Sequence, residues 1–109
     1  MVSPARRIAF EILRRVESER AFAGELLHAQ LNDARPPVKH EDAALATELT
    51  LGVLRWQRLL DFIIERQTGK PVTALDLEVL LALRLGLYQL RILTRVPASA
   101  AVKIGRAHV

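Results

Sequence analysis

The chain contains no cysteine, which removes disulfides, cysteine-ligated zinc, iron–sulfur clusters and thiol nucleophiles from its chemistry and fits a reducing compartment. Long apolar runs are missing too. The longest strictly apolar stretch is Val79 to Leu83, far short of the roughly 20 residues needed to span a bilayer. The opening Met1-Val-Ser-Pro-Ala-Arg-Arg7 leads into an amphipathic pattern interrupted by Glu11, Arg14 and Arg15, not into the unbroken apolar core of a secretory signal. The expectation is a soluble, cytoplasmic chain. Catalytic signatures are absent as well: there is no glycine-rich phosphate loop, no Gly-x-Ser-x-Gly elbow and no His-Glu-x-x-His string. His28 and His40 stand on either side of a predicted loop without partners at ligand spacing, so no metal site is expected. Glu41 and Asp42 are adjacent and would point in different directions on a helix, a poor arrangement for an acid/base pair. No active site is expected on this chain, and it is read as a non-enzyme.

What is present is an ordinary globular mixture. Of 109 residues, 50% are hydrophobic and 26% charged, enough for one domain with a modest core. Ile104 to Val109 resembles the in-frame translation of a sequencing-library adapter, so the expected natural domain is 3–102 and residues 103–109 are expected to be non-native. Without Lys103 and Arg106 the formal net charge falls from +4 to +2, and the natural part is less basic than the whole.

Helical spacing dominates. Ser3-Pro4 is a good N-cap followed by proline at the first helical position, and Ala5, Ile8, Ala9, Ile12, Leu13 and Val16 form one stripe, which predicts a helix from Pro4 to about Glu17. A shorter helix is expected over Ala21 to Leu31, and Pro36-Pro37 marks a loop. A third helix begins near Glu41-Asp42, whose carboxylates suit a helix N-terminus. Leu45, Leu49, Val53, Trp56 and Leu60 form one of its stripes and Ala44, Leu51 and Leu54 another, as expected of a central helix packed on two sides. The pattern continues through Asp61-Phe-Ile-Ile64, after a kink, to a stop at Gly69-Lys-Pro71. A last long helix is expected from about Thr73 to Leu93. No strand alternation or internal repeat appears, so the fold class is all-α.

The two long apolar segments each carry an interior glycine, Gly52 and Gly86, which costs about 1 kcal/mol relative to alanine and points to close backbone approach between helices at both sites. Trp56, on an apolar stripe, is expected in the core. Arg84 and Arg91 on the most apolar helix require compensation, by Glu48 or Asp76 or at a contact with another domain. On the first helix Arg7, Phe10 and Arg14 share a face away from the apolar stripe, with Arg6 and Arg15 flanking it. These five are the candidate RNA-binding residues: arginines would hold phosphates while an exposed ring stacks on a base. The competing reading is a solvated face tied by Arg7–Glu11 and Glu11–Arg15 pairs.

Ala44-Leu-Ala-Thr-Glu-Leu-Thr-Leu-Gly-Val-Leu-Arg-Trp56, the Leu60-Asp61 step, Leu83-Arg-Leu-Gly-Leu-Tyr-Gln-Leu90 and Arg95-Val-Pro-Ala-Ser-Ala-Ala-Val102 together resemble the NusB-type RNA-binding domain. The likeness is to the N-terminal domain of the RsmB (Sun/Fmu) ribosomal RNA cytosine-5 methyltransferases more than to NusB antitermination factors, which act through RNA and a protein partner. The resemblance implies a NusB-like helical bundle of which this chain would hold about five helices, lacking the last ones. It implies an RNA partner, small-subunit rRNA, contacted by the basic first helix, and a C-terminal catalytic domain using S-adenosylmethionine that lies outside this chain. No cofactor is expected here, and neither DNA nor a membrane is an expected partner. The absent helices would leave the faces around Leu85, Leu87 and Ile92 uncovered.

Overall fold

The computed structural model describes residues 3–93; the expected adapter tail and Arg95 to Val102 lie outside them. Five α-helices follow one another, α1 (Pro4–Glu19), α2 (Ala23–Asp33), α3 (His40–Arg55), α4 (Gln57–Thr68) and α5 (Leu77–Leu87), with a single 3₁₀ turn at Val72–Ala74 and a π-helical turn at Tyr88–Leu93. Among the described residues there is no strand, and no helix is long and apolar enough to cross a membrane.

Local chemistry sets several boundaries. The Ser3 hydroxyl accepts the Arg6 amide at 3.2 Å, and Pro4 occupies the first turn of α1. Helix α1 runs slightly past the expected Glu17 and stops where Arg20 turns left-handed, φ 56°. Gly69 ends α4 in the left-handed region, φ 70°, with its amide donating to the Glu65 carbonyl, the backbone a glycine supplies at least cost. Between α3 and α4 the expected kink falls on Trp56, at φ −102° and ψ 15°.

That kink corrects one expectation. Trp56 is 41% exposed rather than buried, because a residue in the bridge region between two helices no longer follows the phase of the stripe that precedes it. The expected last helix is also interrupted: the segment from Val72 is a 3₁₀ turn, α5 starts only at Leu77, and it changes to π-helix at Tyr88.

Helix α3 is central, touching α1, α2, α4, α5 and the π-helical turn. The main core joins Ala9 and Leu13 of α1, Leu49 and Val53 of α3, Leu60 of α4, and Leu81, Leu85 and Tyr88. A second cluster packs Ile12 against Leu26 and Leu27 of α2. The expected uncovered patch is met only in part: Leu85 is buried and Leu87 and Ile92 are partly buried against the core, but Leu90 in the same stretch is 70% exposed, and Trp56, Leu59, Phe62 and Val79 are exposed as well. The Arg66 guanidinium lies over one of these, 5.8 Å from the Phe62 ring centroid.

The two helix glycines behave differently. At Gly52 an added Cβ would run into the Tyr88 ring, so this is a true close approach, between α3 and the π-helical turn. Nothing lies within 4 Å of a Cβ at Gly86, and the expected packing contact there is not made. Arg84, 4% exposed, is compensated as its burial demands, but by other partners than expected. Its Nε and one amino group donate to the two Asp61 carboxylate oxygens at 2.8 and 2.9 Å, and its other amino group reaches Glu17 at 3.4 Å. This fork ties α5 to α4 and α1. Glu48 instead accepts from the buried Tyr88 hydroxyl.

Candidate nucleic-acid interface

Burial of Ala5, Ala9, Ile12 and Leu13 orients α1 and turns its other side to solvent, where four of the five candidate residues lie exposed or half-exposed. Their surroundings differ. Arg6 donates through Nε to Gln89 Oε1 at 2.7 Å and through an amino group to Ser3 Oγ at 3.1 Å. The Gln89 amide is itself oriented, because its nitrogen donates to the Leu85 carbonyl at 3.0 Å, leaving its oxygen to face the guanidinium. Arg7 is exposed and forms no ion pair among the described residues.

Arg14 is held by Glu11 in a two-point contact, with Nε at 3.2 Å, and Arg15 donates to Glu19 at 3.1 Å. The expected Arg7–Glu11 and Glu11–Arg15 pairs are therefore replaced by Arg14–Glu11 and Arg15–Glu19. The Arg14–Glu11 pair leaves its side chains 36% and 41% exposed, so it is screened by solvent and contributes little to stability. Hydrogen bonding to Arg14 holds the Glu11 carboxyl below its ordinary range, against an opposing effect of burial and with help from the Arg14 and Arg15 charges.

Phe10 is the exception among the five. It is partly buried and packed against the main core, so it is not the exposed stacking ring that helical spacing suggested. Its position between the stripe and the solvent face leaves room for either orientation, and the core's apolar contacts win. The sequence reading also passed over two cations, Arg35 and Lys39, on the loop between α2 and α3. Both are exposed and near Arg7 around a common cleft; their only local signal is that they bracket Pro36-Pro37-Val38.

The profile of the NusB family matches residues 3–104. The chain belongs to the NusB family. Relatives of this NusB-family chain include a Mycobacterium tuberculosis protein that bears a methyltransferase name, 46% identical over 101 residues that make up 93% of this chain and 21% of the relative. A Synechocystis protein assigned as ribosomal RNA small subunit methyltransferase B is 39% identical over 101 residues, 93% of this chain and 22% of its own length. The Pseudomonas putida protein of that name is 39% identical over 93 residues, 81% of this chain and 21% of its own. The chain thus spans about a fifth of the length of the curated relatives it matches. No solved structure matches it.

Proposed function

We propose that this NusB-family domain binds RNA and positions small-subunit ribosomal RNA for cytosine-5 methylation by parts of a longer parent protein. The observation that carries the reading is the exposed, uncompensated Arg7 guanidinium on the solvent side of α1, two turns and about 10 Å from Arg14. Two arginines on one side of a rigid helix can each hold a phosphate of the same strand, and phosphate contacts set register without reading sequence. The methyltransferase names of the relatives support the choice of substrate.

S-adenosylmethionine is the expected methyl donor of the parent. The residues here do not fit its site or that chemistry: the described part has helices and loops but no strand, and so no glycine-rich strand-to-helix turn of a nucleotide fold, and the sequence has no cysteine to attack a base. No catalytic step is assigned to them. Their work is to hold RNA through Arg6, Arg7, Arg14 and Arg15, with Arg14 and Arg15 exchanging their weak surface pairs with Glu11 and Glu19 for phosphate.

Methyl transfer from labelled S-adenosylmethionine to unmethylated small-subunit rRNA tests this in the full-length parent. Substituting Arg7→Ala and Arg14→Ala together is expected to raise KM for RNA several-fold while kcat stays near the parent value. An unchanged KM, with an unchanged salt dependence of RNA binding, would refute the reading.

A further inference from the structure

We propose that the cleft between the start of α1 and the α2–α3 loop is a nucleotide subsite for single-stranded RNA, a reading that rests on the RNA-binding function proposed above. The cleft has a volume of about 410 Å³ and is walled by Pro4 and Arg7 of α1, Arg35, Pro36 and Lys39 of the loop, and Asp42 of α3. That size lies within the range of small-molecule sites, and one nucleotide fits it.

Charge is what distinguishes this place from the rest of the α1 surface. Three cations face one carboxylate across the cleft. Arg7 and Lys39 form no ion pair among the described residues, and Arg35 is anchored only by neutral groups, the carbonyls of Ala34 at 2.8 Å and Asn32 at 3.4 Å. The carbonyls fix the Arg35 fork without cancelling its charge, so Nε and the second amino group stay available to a phosphate. Along α1, by contrast, Arg14 and Arg15 each already face a glutamate. Uncompensated positive charge therefore remains at the cleft, beside that of Arg6, which is likewise held only by neutral groups, and the positive end of the α1 dipole adds to it.

The loop is stiffened by two consecutive prolines, whose fixed φ lowers the ordering cost of presenting Arg35 and Lys39 to a ligand. Asp42, half-buried in the wall, is an acceptor of the kind a ribose hydroxyl needs. In this arrangement Arg7 serves two places at once: it lines the cleft and heads the α1 row that continues to Arg14. The strand would enter between Arg35 and Lys39, place one phosphate against Arg7 and run on along α1.

The test is fluorescence anisotropy of the 109-residue chain with labelled single-stranded oligouridine over a series of potassium chloride concentrations. Replacing Arg35→Gln and Lys39→Gln together should weaken binding and flatten the slope of log K against log salt by about 1.4, the value for two lost phosphate contacts on a single strand. Far-UV circular dichroism should not change, and Arg35→Lys with Lys39→Arg should restore the slope. If the double variant does not fold, Lys39→Gln alone decides, with an expected flattening of about 0.7. Normal binding by the parent chain with an unaltered slope in the variants overturns the subsite and leaves the RNA reading standing. Absence of salt-dependent binding by the parent chain overturns the RNA reading and this one with it.

Discussion

Replacing Gly52 by alanine sets two effects of opposite sign against each other. In an unobstructed helix the change stabilises by about 1 kcal/mol, through helix propensity and the reduced freedom of the unfolded chain. Here the new Cβ would overlap Cζ and Oη of Tyr88 and lie 2.7 Å from Cε1. Tyr88 is 2% exposed, so its ring has little space in which to retreat. Overpacking of this kind costs about 1 to 3 kcal/mol. A displaced ring also strains or breaks the hydrogen bond to the Glu48 carboxylate, worth about 1.5 to 3 kcal/mol for a charged acceptor. The steric side wins, and Gly52→Ala should destabilise by about 2 to 4 kcal/mol, a large part of a small domain's total.

Urea unfolding followed by circular dichroism measures this as a lower midpoint at constant slope. Two controls sharpen it. In a Tyr88→Ala background, already weakened by its own cavity, Gly52→Ala should lose its cost and become neutral or stabilising by up to about 1 kcal/mol. Gly86→Ala, with nothing within 4 Å of the added Cβ, should stabilise by about 0.5 to 1 kcal/mol. A Gly52→Ala protein as stable as the parent chain would refute the argument, and a cost undiminished by Tyr88→Ala would show that the ring is not its source.

The buried fork and the tyrosine carry two more expectations. Arg84→Ala removes the cation between Asp61 and Glu17 and should cost about 3 to 5 kcal/mol, while Arg84→Met with Asp61→Leu should cost much less, because apolar replacement leaves no charge stranded; an Arg84→Ala midpoint equal to the parent's would contradict this. The chain has a single tyrosine, so ultraviolet titration reports Tyr88 alone. Burial first, then the hydrogen bond to Glu48 and its charge, raise the Tyr88 pKa above the ordinary 10.0. A folded pKa raised in this way contributes stability that is complete below about pH 10 and lost as pH climbs toward the raised value. Tyrosine ionisation should therefore coincide with loss of helix, and half-titration near pH 10 in a still-helical protein would count against the burial argument.

Much of the helical layout was legible from short-range cues. Ser3-Pro4 opens α1, the Ala5-to-Leu13 stripe orients it, and Gly69 closes α4, because caps, proline geometry and left-handed glycines act over one turn of chain. The phase change at Tyr88 was not legible, since apolar residues on most sides of Leu77 to Leu93 look alike in α- and π-helical registers. Nor were the partners of Arg84. Asp61 and Glu17 are remote in sequence, and Glu48 and Asp76 were equally plausible until the helices were placed. Among the candidate interface residues, the solvent side of α1 could be read from its periodicity. The packing of Phe10 against the core, the particular glutamates that pair with Arg14 and Arg15, and the nearness of Arg35 and Lys39 to Arg7 could not.

By itself the sequence determined an all-helical NusB-family chain with arginines on the outer side of its first helix, because hydrophobic spacing, caps and family motifs are properties of neighbouring residues. Only the tertiary structure decided which glycine is a contact, which aromatic is buried and which cations remain uncompensated. Those outcomes depend on groups brought together across long stretches of chain, where a shift in helix phase or placement changes both the steric neighbour and the electrostatic one.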